Sequence, residues 1–325
     1  MQFYLAPMEA VTGFVYRNVY EEMFGEIDTY FAPFITPTQK KILKTRERKD
    51  VAPENNVGIR LVPQILTNDA EQMMETCMFL AERGYREVNI NLGCPAATVV
   101  TKCKGSGLLG NPKRLEEFLA GFFTANDSLP AEERFRVSVK TRLGMEEASE
   151  FEEILSIYNR FPLEEVIIHP RVRAEFYNGV PNLEAFGKAL EACKHPVCYN
   201  ADIWNVQDYR LVTERFPTLE RIMIGRGIIA NPGLIREIKT GERVRKEELR
   251  VYHDALYDGY LADLGAEKDV FYKMKELWFY LGRNFADADK AIRAVQKSSK
   301  PEAYKEAVRE VFTHDLKEIK GVFQC

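Results

Sequence analysis

Eight short apolar runs, each followed by a stretch with helical periodicity, occupy the first 240 residues of this chain. They fall at residues 3–6, 30–34, 60–65, 87–91, 136–140, 165–169, 196–200 and 221–224, and are rich in β-branched and aromatic side chains. Between the third and fourth runs, Asn68 and Glu71 have the spacing of a capping box. Ala70, Met73, Met74 and Cys77 share one helix face there, and Gly84 stands where that helix should stop. Residues 115–123, 183–192 and 206–216 read as further helices. Strand then helix, eight times over, is the pattern of a (β/α)8 TIM barrel. A doubly wound open sheet is the alternative. It calls for a glycine-rich turn after the first strand, where this chain has Ala6-Pro7-Met8-Glu9.

After residue 240 no strand candidate remains. Met274, Leu277, Trp278 and Leu281 lie on one helix face, and Pro301 opens another helix with the stripe Tyr304, Ala307, Val308, Val311 and Phe312. The organisation expected is a barrel over residues 1–240 and a small C-terminal helical bundle over 241–325. No apolar stretch is long enough to cross a bilayer, and Pro7 interrupts an N-terminus that lacks the basic start of a signal peptide. The six cysteines show neither metal-ligand spacing nor a disulfide framework. No metal is expected, and a reducing cytoplasm is. The net charge of −4 does not mark a general nucleic-acid binder. Charge is uneven, however: Lys40, Lys41, Lys44, Arg46, Arg48 and Lys49 crowd ten residues with Glu47 as their only acid. Arg293, Lys297 and Lys300 fall in a segment without acids.

Barrel enzymes build their sites from the C-terminal ends of the strands. Read in order, those ends supply Pro7 and Met8, Gln64, Asn91 with Cys94, Lys140 with Arg142, His169 with Arg171 and Arg173, Asn200 with Asp202, and Gly225-Arg226-Gly227. Each alone has a plain structural reading, since a free cysteine usually packs and a histidine is often a satisfied core residue. Of these seven ends, the six that are polar or bear glycine are harder to explain as packing. Loops after the seventh and eighth strands of barrels often take phosphate on backbone N–H groups. Asn200-Ala201-Asp202 and Gly225-Arg226 stand there, with Arg226 as a charged donor. A phosphorylated cofactor so anchored would bring its ring to Gln64, Lys140 and His169, and the two cation-capable groups suit the negative charge that forms on a reduced flavin.

In this order the motifs resemble those of bacterial tRNA-dihydrouridine synthases over essentially the whole chain. The opening A-P-M is matched by Ala6 to Met8 and N-x-G-C-P by Asn91 to Pro95. K-x-R-x-G is matched by Lys140 to Gly144, H-x-R-x-R by His169 to Arg173, N-x-D-I by Asn200 to Ile203 and G-R by Gly225 and Arg226. Three positions depart from the family pattern: Ala201 and Pro170 replace glycines, and Glu9 replaces alanine. The resemblance implies FMN held by Pro7, Met8, Glu9, Gln64, Lys140, His169, Asn200, Ala201, Asp202, Gly225 and Arg226. NADPH is the implied reductant and tRNA the substrate. Hydride would pass to C6 of a uracil and a proton from Cys94 to C5, an acid role open to a thiol because an ordinary thiol, pKa about 8.5, is protonated at neutral pH. Asn91, Arg142, Arg171 and Arg173 are expected to hold the ring and its phosphates. Lys40, Lys41, Lys44, Arg293, Lys297 and Lys300 are expected to contact the rest of the tRNA, with residues 241–325 as a tRNA-binding domain on a monomer. A flavin barrel acting on free pyrimidines, a Schiff-base aldolase using Lys140 and a non-catalytic RNA-binding module are the competing readings.

Overall fold

The computed structural model describes residues 1–38 and 42–323. Nine parallel strands follow one another: β1 (Gln2–Leu5), β2 (Thr29–Phe31), β3 (Leu61–Val62), β4 (Gln64–Ile65), β5 (Glu87–Leu92), β6 (Arg136–Arg142), β7 (Val166–His169), β8 (Val197–Tyr199) and β9 (Arg221–Ile224). Their order is β3-β2-β1-β9-β8-β7-β6-β5-β4. The two ends of that order are the halves of one stretch. Pro63 cannot donate to a ladder, so the run at 60–65 breaks there: β3 pairs with β2, and β4 pairs with β5. The nine strands therefore fill eight barrel positions, and the ring closes at Gln64–Ile65, which pairs with β5 on one side and bridges to Ile35 on the other. The open doubly wound sheet is excluded.

Within the barrel, Tyr4, Ala6, Phe31, Val62, Ile167, Cys198 and Met223 form a buried apolar cluster. On the β4–β6 side the buried positions are polar instead. Gln64 Nε2 donates to Asn89 Oδ1 at 2.7 Å, and Asn89 Nδ2 donates to Ser138 Oγ at 2.8 Å. Such a chain persists in a core because each member is satisfied. The helix after β4 spans Ala70–Ala81 and buries Met73, Thr76, Cys77 and Leu80. Its cap is Asp69, which accepts the Gln72 N–H at 3.0 Å, and not Asn68 as the spacing predicts. Asn68 instead donates to the carbonyls of Lys102 and Cys103.

Contacts divide the chain into two compact units that interleave in sequence. The first comprises residues 1–7, 29–201 and 218–223, and the second 8–28, 202–217 and 224–325. In the second unit, the helix Phe14–Met23 packs against the helix Lys246–Leu264 through Tyr16, Tyr20 and Tyr252. A Cβ on Gly259 would lie 2.9 Å from Val15 Cγ1, so glycine allows that close approach. Glu267–Leu281 buries Met274, Leu277, Trp278 and Leu281, and Pro301–Val311 buries Tyr304, Ala307, Val308 and Val311, as the stripes require. Among the described residues no helix is long and apolar enough to cross a membrane.

Candidate active site

In the first unit, Cys94 follows β5 on a loop whose geometry is fixed from both sides. The Asn91 carboxamide oxygen accepts the N–H of Gly93 at 3.1 Å and of Cys94 at 2.9 Å. The Cys94 carbonyl accepts from Ser106 Oγ at 2.8 Å. Gly105, at φ +56°, would place a Cβ 3.0 Å from the Cys94 carbonyl oxygen, and a Cβ on Gly107 would meet the Val100 carbonyl oxygen at 2.7 Å. The glycine spacing thus exists so that this loop can fold back tightly against the thiol's own backbone. Cys94 stays partly accessible. Asn91 is buried, and its remaining polar atom donates to Gln64 Oε1 at 2.8 Å. Gln64 is fully buried between Asn89 and Asn91. Asn91 therefore sets the position of Cys94, where the sequence expects it on substrate. Asn89, two residues earlier on the same face, shares its period but stands outside any motif that would single it out.

Lys140 stands opposite Asn91 in the β5–β6 register. Burial pushes its ammonium down to about 8, with the Arg142 guanidinium adding to the shift, and the Cys198 and then the Cys94 sulfur act in the opposite sense. Among the described residues no oxygen accepts a hydrogen bond from it. Lys140 is partly exposed, so this cation has room for an acceptor from a ligand.

The three arginines expected on substrate divide. Arg142 is buried, donating from Nε to the Gly93 carbonyl at 2.9 Å and from Nη1 to the Val172 carbonyl at 3.0 Å. Arg171 is buried too, with Nε on the Asn178 carbonyl at 3.0 Å and Nη2 on that of Gly179 at 2.6 Å. Both brace loops from within. Only Arg173 is partly exposed, its guanidinium 5.2 Å from the Phe176 ring. Arg171 Nη1 lies 3.1 Å from His169 Nε2. A guanidinium only donates, so Nε2 accepts and the ring proton sits on Nδ1. The loop these arginines brace exposes two aromatics that sequence reasoning does not single out. Phe176, at φ +52°, is 41% exposed and Tyr177 is 53% exposed. The Tyr177 ring lies 5.3 Å from the Arg142 guanidinium and 6.0 Å from the His169 ring. Aromatics on a loop after a strand carry no periodic signal. Asn200 is buried in the same unit, donating to the Met223 carbonyl at 2.8 Å, and Ala201 is partly buried beside it. Pro7 ends this unit's first segment, partly exposed.

In the second unit, the Met8 carbonyl accepts the N–H groups of Val11 and Thr12, both at 3.0 Å. This makes a tight turn with Glu9 exposed at its tip. Asp202 and Arg226 form an ion pair. Gly225 precedes it, and a Cβ on Gly227 would fall 1.8 Å from the Ile203 carbonyl oxygen. The stretch after β8 and the stretch after β9 therefore touch backbone to backbone at Gly227. Arg293 and Lys297 on the helix Asp289–Lys297, and Lys300 beyond it, are exposed, with no carboxylate at ion-pair distance among the described residues. In the first unit, Lys44 is exposed and pairs with Glu47 at 3.4 Å, whereas Lys40 and Lys41 lie outside the described residues. Glu47 itself is buried and accepts the Lys44 N–H at 2.7 Å. The only acid of the basic run thus faces inward. No group of three or more metal-ligating side chains occurs among the described residues.

A closed parallel barrel carrying a thiol, an ammonium and an imidazole at successive strand ends has the build of a barrel enzyme. The model of the dihydrouridine synthase (Dus) family matches residues 4–318, and the chain belongs to that family, whose members are flavin-dependent oxidoreductases. It is 31% identical over 290 residues to a probable tRNA-dihydrouridine synthase of Staphylococcus aureus strain Mu50, covering 85% of this chain and 81% of that one. It is 28% identical over 244 residues to a tRNA-dihydrouridine(16) synthase of Aquipseudomonas alcaligenes, covering 73% and 75%. Among solved structures, morphinone reductase superposes with a TM-score of 0.53 at 12% identity, over 75% of this chain and 87% of that one, a likeness of fold.

Proposed function

We propose that this chain reduces the C5–C6 double bond of a uridine in tRNA, in its D-loop, with FMN as the flavin and NADPH as the reductant, in the cytoplasm. The observation that carries the reading is Lys140: a partly buried cation at a strand end, with no acceptor among the described residues, next to a rigidly held thiol. A flavin's pyrimidine edge has the oxygens and nitrogens to fill that gap, so the residues present fit the group. Bound FMN, once reduced by NADPH, supplies the hydride for C6 of the uracil. Cys94 gives its thiol proton to C5, and the Asn91 carboxamide keeps the thiol's backbone in place while this happens. Lys140 holds the flavin edge and favours negative charge there. His169, with its proton on Nδ1 and Nε2 turned to Arg171, stands as a neutral donor. Gln64 orients Asn91 from behind, and Met8, Asp202 and Arg226 belong to the loops that would carry the cofactor's phosphate.

A uridine that leaves its stack forfeits a few kcal/mol. The exposed rings of Phe176 and Tyr177 offer replacement stacking, and Arg173 beside them offers a phosphate contact. Residues 241–325 bring the exposed cations Arg293, Lys297 and Lys300, which suit the tRNA backbone. Membership of an oxidoreductase family sets aside the aldolase reading of Lys140. The test is to incubate the purified yellow protein and NADPH with tRNA that lacks dihydrouridine, then map the product by mass spectrometry. Gain of two hydrogens at a single D-loop uridine is expected. Reduction of free uridine with no change in tRNA would contradict the reading.

A further inference from the structure

We propose that Arg283 joins Arg226 as the second arm of a phosphate clamp built over the Trp204 ring, and that its ligand is the phosphomonoester of the flavin nucleotide. Arg283 lies on the single turn Gly282–Asn284, far in sequence from the stretches that follow β8 and β9. Its guanidinium carbon sits 4.2 Å from the Trp204 ring centroid, and that of Arg226 sits 5.4 Å from the same ring. Asp202 pairs with Arg226, while no carboxylate reaches ion-pair distance of Arg283 among the described residues. Two guanidiniums thus lie against one ring, with Asp202 paired to Arg226. Burial, then Arg226, lowers the Arg283 pKa, with Asp202 and Tyr280 acting in the opposite sense. An anion bound between the two arms removes that conflict.

The ring on which both arms rest is fixed. Trp204 packs with Ala230 and Ile319, and its backbone N–H donates to Asp208 Oδ2 at 3.0 Å. Asn205 Nδ2 donates to the Ile319 carbonyl at 2.9 Å, and the Val322 N–H reaches Asp208 at 3.3 Å, so the C-terminal tail straps this corner down. A pre-set pair of planar forks recognises a phosphate better than a single mobile one. A phosphomonoester carries about 1.5 to 2 negative charges at neutral pH, against one for an RNA phosphodiester, and so matches two cations better. Residues after the last two strands of a barrel are also where such groups bind.

The inference rests on the flavin reading above, and its test separates the two. Apo-protein is titrated with FMN and with riboflavin, which lacks the phosphate, following flavin fluorescence. Circular dichroism and the urea midpoint check that each variant folds. Wild type should prefer FMN. Arg283→Gln should lose about 10- to 100-fold in FMN affinity with riboflavin affinity unchanged, and Arg283→Lys should recover part of the loss. An FMN-to-riboflavin ratio in Arg283→Gln equal to wild type overturns the clamp while leaving the flavin reading intact. Weaker tRNA binding with a flatter salt slope and that same unchanged ratio would give Arg283 to an RNA phosphate, which also overturns it. Wild type binding neither flavin would overturn both.

Discussion

A motif names a residue type, and the structure shows how much of the role is left open by the name. Cys94, Lys140 and His169 stand at the strand ends where the sequence puts them. Arg142 and Arg171 share the same motifs, yet both are buried against backbone carbonyls, because nothing in K-x-R or H-x-R says which way an arginine turns. Asn91 likewise holds the backbone N–H groups of Gly93 and Cys94. Lys140 supports a pH prediction. Its free-state pKa is held down near 8, and an acceptor on the flavin would raise it. Flavin binding should then take up a proton between pH 8 and the bound-state value. FMN affinity should be flat below pH 8 and fall above it, by up to about tenfold per pH unit. Lys140→Met should bind FMN more weakly at pH 7 and lose that pH dependence. Fluorescence titrations from pH 6.5 to 9.5 decide it; a wild-type affinity that rises with pH would refute the assignment.

At the scale of elements, all eight apolar runs form strands, since strands buried on both faces keep a largely apolar record even where Asn89 and Ser138 interrupt it. The closing step is not legible. Pro63 is visible in the sequence, but its consequence, one run serving two neighbours, depends on where the ring meets itself. The helix start falls at Asp69, one residue on, because Asn68 is drawn away by the loop at 102–103, a tertiary demand. Glycine spacing is more informative. Gly227 allows the Ile203 carbonyl to approach where any side chain would collide. Gly227→Ala should therefore cost about 3 kcal/mol or more, seen as a lower urea midpoint, and should release bound flavin. Gly84→Ala, with no atom within 4 Å of the added methyl, should cost less and should keep the flavin, its penalty coming from φ +86° alone. Equal losses in the two variants would contradict the close-approach argument.

At the scale of the whole molecule, the sequence divides at residue 240, whereas contacts group the helices Phe14–Met23 and Val206–Arg215 with the C-terminal ones. Periodicity is local and cannot see that grouping. Charge, by contrast, needs no fold to be counted. The exposed trio Arg293, Lys297 and Lys300 should neutralise phosphates of the tRNA backbone. Replacing all three with alanine should weaken tRNA binding and flatten its salt dependence by about one unit or less for each phosphate no longer neutralised. Flavin content should not change. Unchanged affinity and slope would place the RNA surface elsewhere. The central claim is that a barrel-borne flavin and the Cys94 proton together reduce a tRNA uridine, and a single turnover tests it most directly. Enzyme reduced without oxygen is mixed with tRNA lacking dihydrouridine, and flavin absorbance is followed while product is counted. Wild type should reoxidise with one dihydrouridine formed per flavin. Cys94→Ala should stay reduced under tRNA yet reoxidise at once when air is admitted. Reoxidation of Cys94→Ala by tRNA at the wild-type rate, with equal product, would contradict the account.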